Sequence, residues 1–499
     1  MIQNSKRLIF GALPLTVVSA SFVSCQGPQG KQIAQKPNVI LVMCDDLGWG
    51  DVGFNGNTVI QTPNIDKMAA EGVIFNRFYS ACAVSSPTRA SVLTGRNPYR
   101  TGVFDANAGI LRTEEITLPE LLKAEGYTTG HFGKWHLGTL TASEHDANRG
   151  REGNTKELNP PSLHGYDDAF VAESKVPTWD PMKKPKGKVS STGWNALKEG
   201  EPFADYRTYY WDINGDKVTD NLEGDDSRVI MDRVIPFIER SIRSDQSFLS
   251  VVWFHTPHKP CVAGEEYAKI YSDYNQDFQN YAGCVTAMDD QMGRLRAYLE
   301  QSGIADNTII MFCSDNGPEN CSAEGGGVTG GFRERKRSLY EGGVRVPSFV
   351  YWGSNVEKPR RTDFPAVTCD YLPTIVSLVG IDPAECKHEL DGVDLMPVIR
   401  GEDREREKPI VLAYKGQLSL SDNQYKLYTK RGVEEYYDII ADPLETTPLT
   451  SCPGAEQIKS LMLETLESYK MSFEGGEYGR SSYDRLEQSW KSNSNVVAE

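Results

Sequence analysis

Val39-Ile40-Leu41-Val42-Met43 runs through Cys44 into Asp45-Asp46-Leu47-Gly48, and this junction decides the fold class. An unbroken apolar run suits a strand buried on both faces, as in a parallel sheet covered by helices. The acidic tail with its Gly reads as the loop at the strand's carboxyl end. Three further strand-like stretches also finish in polar clusters. Tyr127 to Phe132 leads into Gly133-Lys134-Trp135-His136. Phe248 to Phe254 leads into His255-Thr256-Pro257-His258, and Thr308 to Phe312 into Ser314-Asp315-Asn316-Gly317. Helix signals stand between them. Thr62 reads as an N-cap before Pro63, with Ile65, Met68 and Ala69 as an apolar face and Gly72 as the stop. Thr117-Leu118-Pro119-Glu120 reads as a capping box ahead of Leu121 and Leu122, closed by Gly126. Tyr281, Cys284, Val285, Met288, Met292, Leu295 and Leu299 keep helical spacing up to Gly303. This alternation predicts an α/β fold with a large, mostly parallel sheet sandwiched by helices. Ligands in such sheets sit beyond the carboxyl ends of the strands. One polar strand ending is an ordinary loop, whereas four with complementary chemistry point to one site.

From about Gly392 the alternation stops. Val411 to Tyr414, Tyr425 to Tyr428 and Tyr436 to Ile439 read as short antiparallel strands, and Gln457 to Tyr469 as a helix on them. The predicted layout is a signal over 1–24, a linker over 25–37, a large domain over 38–400 and a smaller C-terminal α+β domain over 401–499. Gly150 to Asp220, rich in Pro, Lys, Trp and Tyr, reads as long loops over the cleft. The signal rests on Lys6 and Arg7 before the apolar, small-residue stretch Leu8 to Ser24. Phe22-Val23-Ser24-Cys25 resembles a bacterial lipoprotein cleavage box with Cys25 lipidated, although Phe22 replaces the usual Leu; an ordinary cleaved signal is the alternative. No later stretch reaches the ~18 apolar residues of a spanning helix, so a lipid anchor is the one membrane tie expected.

The 499 residues include 53 Lys+Arg against 69 Asp+Glu, a formal net charge of −16 and a pI of about 5.1. With 39% hydrophobic and 24% charged residues, the chain can bury a large core, which excludes disordered, collagenous and coiled-coil classes. The acidic balance argues against nucleic-acid binding, which wants a basic face, and against a long polyanion unless a basic pocket is set inside. Ten cysteines occur, none in a CxxC or in a cluster with zinc spacing. Cys44 and Cys313 end apolar runs and read as core. Export permits disulfides among Cys313, Cys321, Cys369, Cys386 and Cys452 without fixing a pairing.

Asp45, Asp46, Asp315 and Asn316 offer only oxygen ligands, which suits a hard cation such as Ca²⁺ or Mg²⁺ and disfavours zinc. Adjacent carboxylates repel unless a cation lies between them. Two such pairs at the ends of neighbouring strands outweigh the reading of each as a solvated turn. Ser85-Ser86-Pro87-Thr88-Arg89 precedes Ala90-Ser91-Val92-Leu93-Thr94-Gly95-Arg96. Ser86 reads as an N-cap and Pro87 as the first helical residue. Ser85 is thereby placed at the positive end of a helix dipole, where an anionic group is welcome. A plain capped helix is the bland alternative.

The pattern Ser-x-Pro-x-Arg followed by Leu-Thr-Gly-Arg, over residues 85–96, resembles the signature of the type I (formylglycine-dependent) sulfatases of the alkaline-phosphatase superfamily, in its bacterial Ser-type form. Val39 to Asp46, Gly133 to Gly138, His255 to Pro260, Ser314 to Pro318 and Tyr340 to Pro347 look like family blocks in family order. The resemblance implies an alkaline-phosphatase-like fold and a sulfuric ester hydrolase. Ser85 matches the precursor of formylglycine (3-oxoalanine), whereas Cys82-Ala83-Val84 lacks the required Pro. Asp45, Asp46, Asp315 and Asn316, with modified residue 85, match the ligands of one divalent metal, usually Ca²⁺, with Mg²⁺ as the alternative. Arg89 matches the Arg that holds the hydrated aldehyde, and Lys134 with His136 the Lys-x-His of the active site. His258 matches the His that contacts the sulfate ester, and Lys336 the sulfate-binding Lys. The family usually has Gly around that Lys, whereas this chain has Arg333-Glu334-Arg335-Lys336-Arg337, so a neighbouring Arg in the Lys role stays open.

These matches imply substrate binding by Lys134, His258 and Lys336. They further imply leaving-group protonation by His258 with Lys336, assistance to the second hydroxyl by His136, and Asp315 as acceptor of the nucleophile's proton. His255 is not counted among them, and His131, His145, His164 and His388 read as structural. A Ser precursor implies an anaerobic radical-type maturating enzyme as partner. The host is then an anaerobic Gram-negative bacterium, with the protein in the periplasm or on the outer membrane as a lipoprotein. The expected substrate is a sulfated hexose or N-acetylhexosamine of a glycan undergoing degradation, with Trp179 and Asp105 as candidate sugar contacts. The rivals are an aryl sulfatase on small phenolic esters, a phosphomonoesterase or phosphodiesterase with Ser85 unmodified, and a glycan-binding lipoprotein on a decayed fold. The acidic chain then encloses a small positive pocket for a chain end with one sulfate.

Overall fold

The computed structural model describes residues 36–319, 327–430, 433–450 and 452–473; the expected signal, Cys25 and Cys321 lie outside them. The described residues from Lys36 onward form one compact unit. Nine strands among them build the main sheet: β1 (Asn38–Cys44), β2 (Val73–Phe75), β3 (Thr128–Lys134), β4 (Asp168–Ala172), β5 (Tyr210–Asp212), β6 (Phe248–Trp253), β7 (Thr308–Ser314), β8 (Phe349–Tyr351) and β9 (Arg360–Thr362). Their spatial order is β9-β2-β8-β7-β1-β6-β3-β4-β5. The central five, β7-β1-β6-β3-β4, are parallel, and antiparallel β8 and β5 flank them. The four stretches that end in polar clusters are four adjacent strands of this block. Their polar endings therefore meet along one edge.

The alternation of side chains along β1 explains the layering. Val39, Leu41 and Met43 enter one core, whereas Ile40, Val42 and Cys44 enter the other. The helices are α1 (Pro63–Ala70), α2 (Ser85–Thr94), α3 (Leu118–Ala124), α4 (Asp226–Arg243), α5 (Gln276–Gln301) and α6 (Tyr371–Val379). On the first face Ala90 and Leu93 of α2, Leu118 and Leu122 of α3 and Leu372 of α6 pack. On the second lie Ile65 and Met68 of α1, Val234 of α4 and the Met288–Met292–Leu295 stripe of α5. Each such fully buried Leu, Ile, Val or Met side chain contributes about 1.5–3 kcal/mol of apolar transfer. No helix among the described residues is long and apolar enough to cross a membrane.

A separate antiparallel sheet holds β10 (Ile410–Tyr414), β11 (Gln417–Ser421), β12 (Tyr425–Lys430) and β13 (Val433–Asp438). Val411, Leu418 and Leu420 pack with Met462 of α7 (Ala455–Phe473). Ile410, Leu412, Tyr414 and Tyr428 instead join Ala81 to Val84 and Leu339 to Tyr340. The sheet thus backs two segments, the approach to Ser85 and the loop after Lys336.

Several sequence expectations need correction. Residues 150–220 are not all loop, because β4 and β5 pair there into the main sheet. Helix α2 starts at Ser85 with extended Val84 as its N-cap, and the Ser86 hydroxyl is buried without a hydrogen-bond partner among the described residues. Thr62 does flank α1, but its hydroxyl accepts from Gly53 N and donates to Asp66 instead of capping. The Asn64 and Ile65 amides are held by Asp289. Cys313, Cys369, Cys386 and Cys452 are free, buried thiols. Each belongs to an apolar core cluster of the described residues.

Candidate active site

The parallel ladder carries the site residues to one edge and holds them there. Asp45 N donates to Thr256 O at 3.0 Å, and Asp315 N to Cys44 O at 3.0 Å, so hydrogen bonding continues past the strand ends. His136 N donates to Glu173 O at 2.8 Å. Asp46 and His136 have positive φ, 69° and 57°, a conformation that non-glycine residues adopt at a cost and that recurs at functional sites. It turns both side chains out of the strand direction. At Gly133, with φ 100°, a Cβ would stand 2.0 Å from Trp253 O, so the close β3–β6 approach that delivers Lys134 needs a glycine.

Ser85 is the first residue of α2 and is 2% exposed. Its Oγ lies 3.2 Å from Asp45 Oδ1, 3.5 Å from Asn316 Oδ1 and 3.4 Å from Lys134 Nζ. Lys134 Nζ also donates to Asp45 Oδ2 at 2.7 Å. Asn316 Nδ2 donates to Asp46 Oδ1 at 2.7 Å and to Gly317 O, which leaves its carbonyl toward Ser85. Asp315 accepts from Asp46 N and, at 2.8 Å, from Arg89 Nη2. Arg89 is fully buried, its guanidinium 5.0 Å from the Trp253 ring centroid. Its Nε and Nη1 have no partner among the described residues.

Lys336 reaches both Asp46 oxygens, at 2.6 and 2.8 Å. Its arginine neighbours turn elsewhere: Arg335 to Glu319 O, Arg337 to the Glu319 carboxylate and Arg333 to Tyr437. Glu334 and Arg337 have φ of 60° and 74°. The loop therefore adopts glycine-favouring conformations at two positions without having glycine there. The partly exposed His258 puts Nε2 3.7 Å from Asp46 Oδ2 and donates Nδ1–H to Lys259 O at 2.7 Å. His136 Nε2 donates to Asn107 Oδ1 at 2.9 Å, and its buried Nδ1 has no partner among the described residues. The metal and catalytic residues picked from sequence, from Asp45 to Lys336, converge on this edge.

Buried charges in this pocket perturb one another. Burial, and then the Asp45 charge, push Asp315 up to about 7 against Arg89 and Lys134. Burial also works against ionised Asp45, but Lys134, His258, Arg89 and Lys336 hold it well below the usual range. Burial lowers Lys134, whereas Lys336 is raised by Asp46 and Asp45 against the same burial. Burial takes His258 down to about 4 and His136 well down, the latter helped by Lys134. Asp45, Asp46 and His258 each present one ligand atom within 4.8 Å of the others. With the oxygens of Asp315, Asn316 and Ser85 alongside, the donor set fits a hard divalent cation, whose charge would relieve the carboxylate repulsion.

Other residues support the site from outside the set matched to the signature. His255, fully buried, pairs through Nδ1 with Asp226 at 2.9 Å, and Tyr210 Oη donates to the same carboxylate. Asn107 orients His136. Gln417 and the Lys426–Glu341–Glu445 cluster tie the small sheet to the Lys336 loop. His131 and His164 are buried and bonded to Lys134 O and Asn159, and His388 donates to Glu114 O. Trp179 lines a separate groove of 560 Å³ with Lys198 and Gln276, and Asp105 pairs with Lys415.

A family model described as Sulfatase matches residues 37–381. N-acetylgalactosamine-6-sulfatase of Mus musculus is 30% identical over 452 residues, covering 87% of this chain and 78% of that one. Arylsulfatase A of Homo sapiens is 28% identical over 427 residues, 83% of this chain and 79% of that one. The crystal structure of Ps i-CgsB in complex with k-i-k-neocarrahexaose superposes with a TM-score of 0.72 at 27% identity, covering 92% of this chain and 98% of that one.

Proposed function

Since this chain belongs to the sulfatase family and is an enzyme of that kind, we propose that it removes O-sulfate from a sulfated hexose or N-acetylhexosamine of a glycan. The reaction uses a formylglycine made from Ser85 and one divalent metal, Ca²⁺ or Mg²⁺. The observation that carries this reading is the placement of Ser85 Oγ. It sits at the start of α2 among oxygens of Asp45 and Asn316 and the Lys134 ammonium. A serine hydroxyl by itself is a poor nucleophile. Hydrated formylglycine supplies two geminal hydroxyls, one to attack sulfur as the ester S–O bond breaks and one to expel sulfate, and the cation supplies charge stabilisation.

The chain's own residues do the rest. Lys134 and Lys336 bring positive charge to the sulfate oxygens. Asp315, held by Arg89 at 2.8 Å and next in the chain to Asn316, accepts the nucleophile's proton. His258 donates Nδ1–H to Lys259 O, so the proton it moves to the leaving oxygen sits on Nε2, where the substrate's negative charge favours it. His136 donates Nε2–H to Asn107, which leaves Nδ1 as acceptor for the second hydroxyl. The names of the relatives, N-acetylgalactosamine-6-sulfatase above all, support a saccharide; arylsulfatase A keeps a phenolic ester as the alternative. A phosphoesterase with two zinc ions would need more His ligands than His258 alone. Export as a lipoprotein and maturation by a radical enzyme belong to the same proposal.

The test is a mass spectrum of the peptide containing residue 85 after co-expression with a maturase, beside sulfate release from saccharide, phenolic and phosphate esters. Loss of two hydrogens at Ser85 in protein that releases saccharide sulfate is expected. Unmodified Ser85 in active protein, or turnover of phosphate esters alone, would sink the reading.

A further inference from the structure

Residues 169–178 are buried with one exception, Lys175, which is exposed. This segment bridges two loops of the site. On one side Glu173 O accepts from His136 N at 2.8 Å, and Ser174 Oγ accepts from Asn148 at 2.9 Å. On the other, Thr178 N donates to Pro260 O at 3.3 Å and Thr178 Oγ1 to Val262 O at 2.8 Å. The one side chain of this span that faces outward is therefore a lysine held between the His136 and His258 loops. Its charge is felt by Asp45 and Asp46 and opposed by Lys259 and Lys336; desolvation and then those two lysines lower its pKa. Among the described residues no carboxylate pairs with it within 4.0 Å. Lys134 and Lys336, in contrast, are engaged with Asp45 and Asp46. An exposed ammonium without a carboxylate partner, on a segment between two site loops and within electrostatic reach of two further lysines, favours an incoming anion.

The scissile sulfate already has Lys134, Lys336, Arg89 and His258 around its place. We propose that Lys175 binds a second anionic group of the substrate, a sulfate or a carboxylate, on the sulfated sugar or its immediate neighbour. The favoured substrates are then saccharides with two anionic groups. This rests on the sulfatase reading above.

The experiment compares three matched oligosaccharides with matured enzyme. One carries a single sulfate and is otherwise neutral, one carries a second sulfate, and one has a neighbouring uronic acid. Wild type should favour one or both dianionic substrates by about tenfold or more in kcat/KM, mainly through KM. The favoured arm identifies the second anion. Lys175→Met should erase most of that preference, Lys175→Arg should retain it, and Lys175→Glu should reverse it. Calorimetric binding of the same three to Ser85→Ala protein should give the same ranking without turnover. Equal kcat/KM in wild type, or a Lys175→Met loss of equal size on all three, overturns the proposal. If matured wild type releases sulfate from none of them, the sulfatase reading fails instead, and the Ser85→Ala binding ranking still decides the role of Lys175.

Discussion

Replacing Gln417 by Leu should loosen the loop that carries Lys336 from behind. The Gln417 side chain is 4% exposed. Its Oε1 accepts from Leu339 N at 3.1 Å and from Tyr428 Oη at 3.0 Å, and its Nε2 donates to Arg337 O at 2.9 Å. Leu fills a similar volume but leaves two buried donors and one acceptor without partners. Each lost bond removes about 1 kcal/mol net, and an unsatisfied buried group costs about 1–3 kcal/mol. The Tyr428 hydroxyl can rotate toward another acceptor, so the expected loss is about 2–3 kcal/mol. Two of the three bonds hold the backbone at Arg337 and Leu339, next to Lys336, and a misplaced Lys336 should lower kcat/KM about tenfold, or 1.4 kcal/mol of transition-state binding. Urea unfolding followed by tryptophan fluorescence measures the first quantity and sulfate release the second. Gln417→Glu adds a signature: ionised, it keeps the two accepted bonds but sets a charged oxygen against Arg337 O, whereas protonation at acid pH restores the donor and the stability lost there. A Gln417→Leu protein within 0.5 kcal/mol of wild type and with unchanged kcat/KM would refute the argument that the small sheet positions this loop.

Arg406 forms a two-pronged pair with buried Asp370, at 2.7 and 2.9 Å; Arg406→Met should lower stability by about 3–5 kcal/mol in urea titration, because the carboxylate is left uncompensated. Glu341 and Glu445 share Lys426, and burial pushes Glu445 up to about 7, assisted by Glu341 and opposed by Lys426. Its folded pKa thus exceeds its ordinary 4.5, so this contribution to stability is complete below about pH 4.5 and is lost as pH rises through 7. Glu445→Gln should flatten the stability profile between pH 5 and 7, measured as denaturation midpoint against pH. Adding Ca²⁺ to chelator-stripped protein should raise the unfolding temperature, by the equivalent of about 2.7 kcal/mol at a hundredfold excess over Kd, and Asp46→Ala should abolish the shift.

The centre of the fold was legible because β1, β6 and β7 are largely apolar runs, and these three and β3 end in polar clusters. The edges were not. Strands β2, β8 and β9 are three residues each, too short for a period-2 signal, and they exist because β7 offers them a free edge. Helix α4 had a readable signal, the Asp225 cap and the Val229–Ile230–Val234–Phe237–Ile238 stripe, but Pro236 in its interior obscures it. At the site, residues inside strand-end blocks could be named, since chemistry and position coincide there. Asn107, Asp226 and Gln417 act across more than twenty residues of chain, and no local pattern marks them. Whether Lys336 or an adjoining arginine faces Asp46 was settled by the backbone turns at Glu334 and Arg337, which residue type alone does not reveal.

The burial of Ser85 also sets a clock. At 2% exposure its hydroxyl is out of reach of any other enzyme once the surrounding walls close. One wall carries Lys336, and the sheet that backs it ends at Asp438. At about 5–20 residues per second, the roughly 350 residues between Ser85 and Asp438 take about 20–70 s to synthesise. A chemical change at Ser85 has to be made while those later segments are still being made or are not yet docked. The fraction of molecules carrying it then reflects a race between a modifying enzyme and the folding of the chain's own last strands.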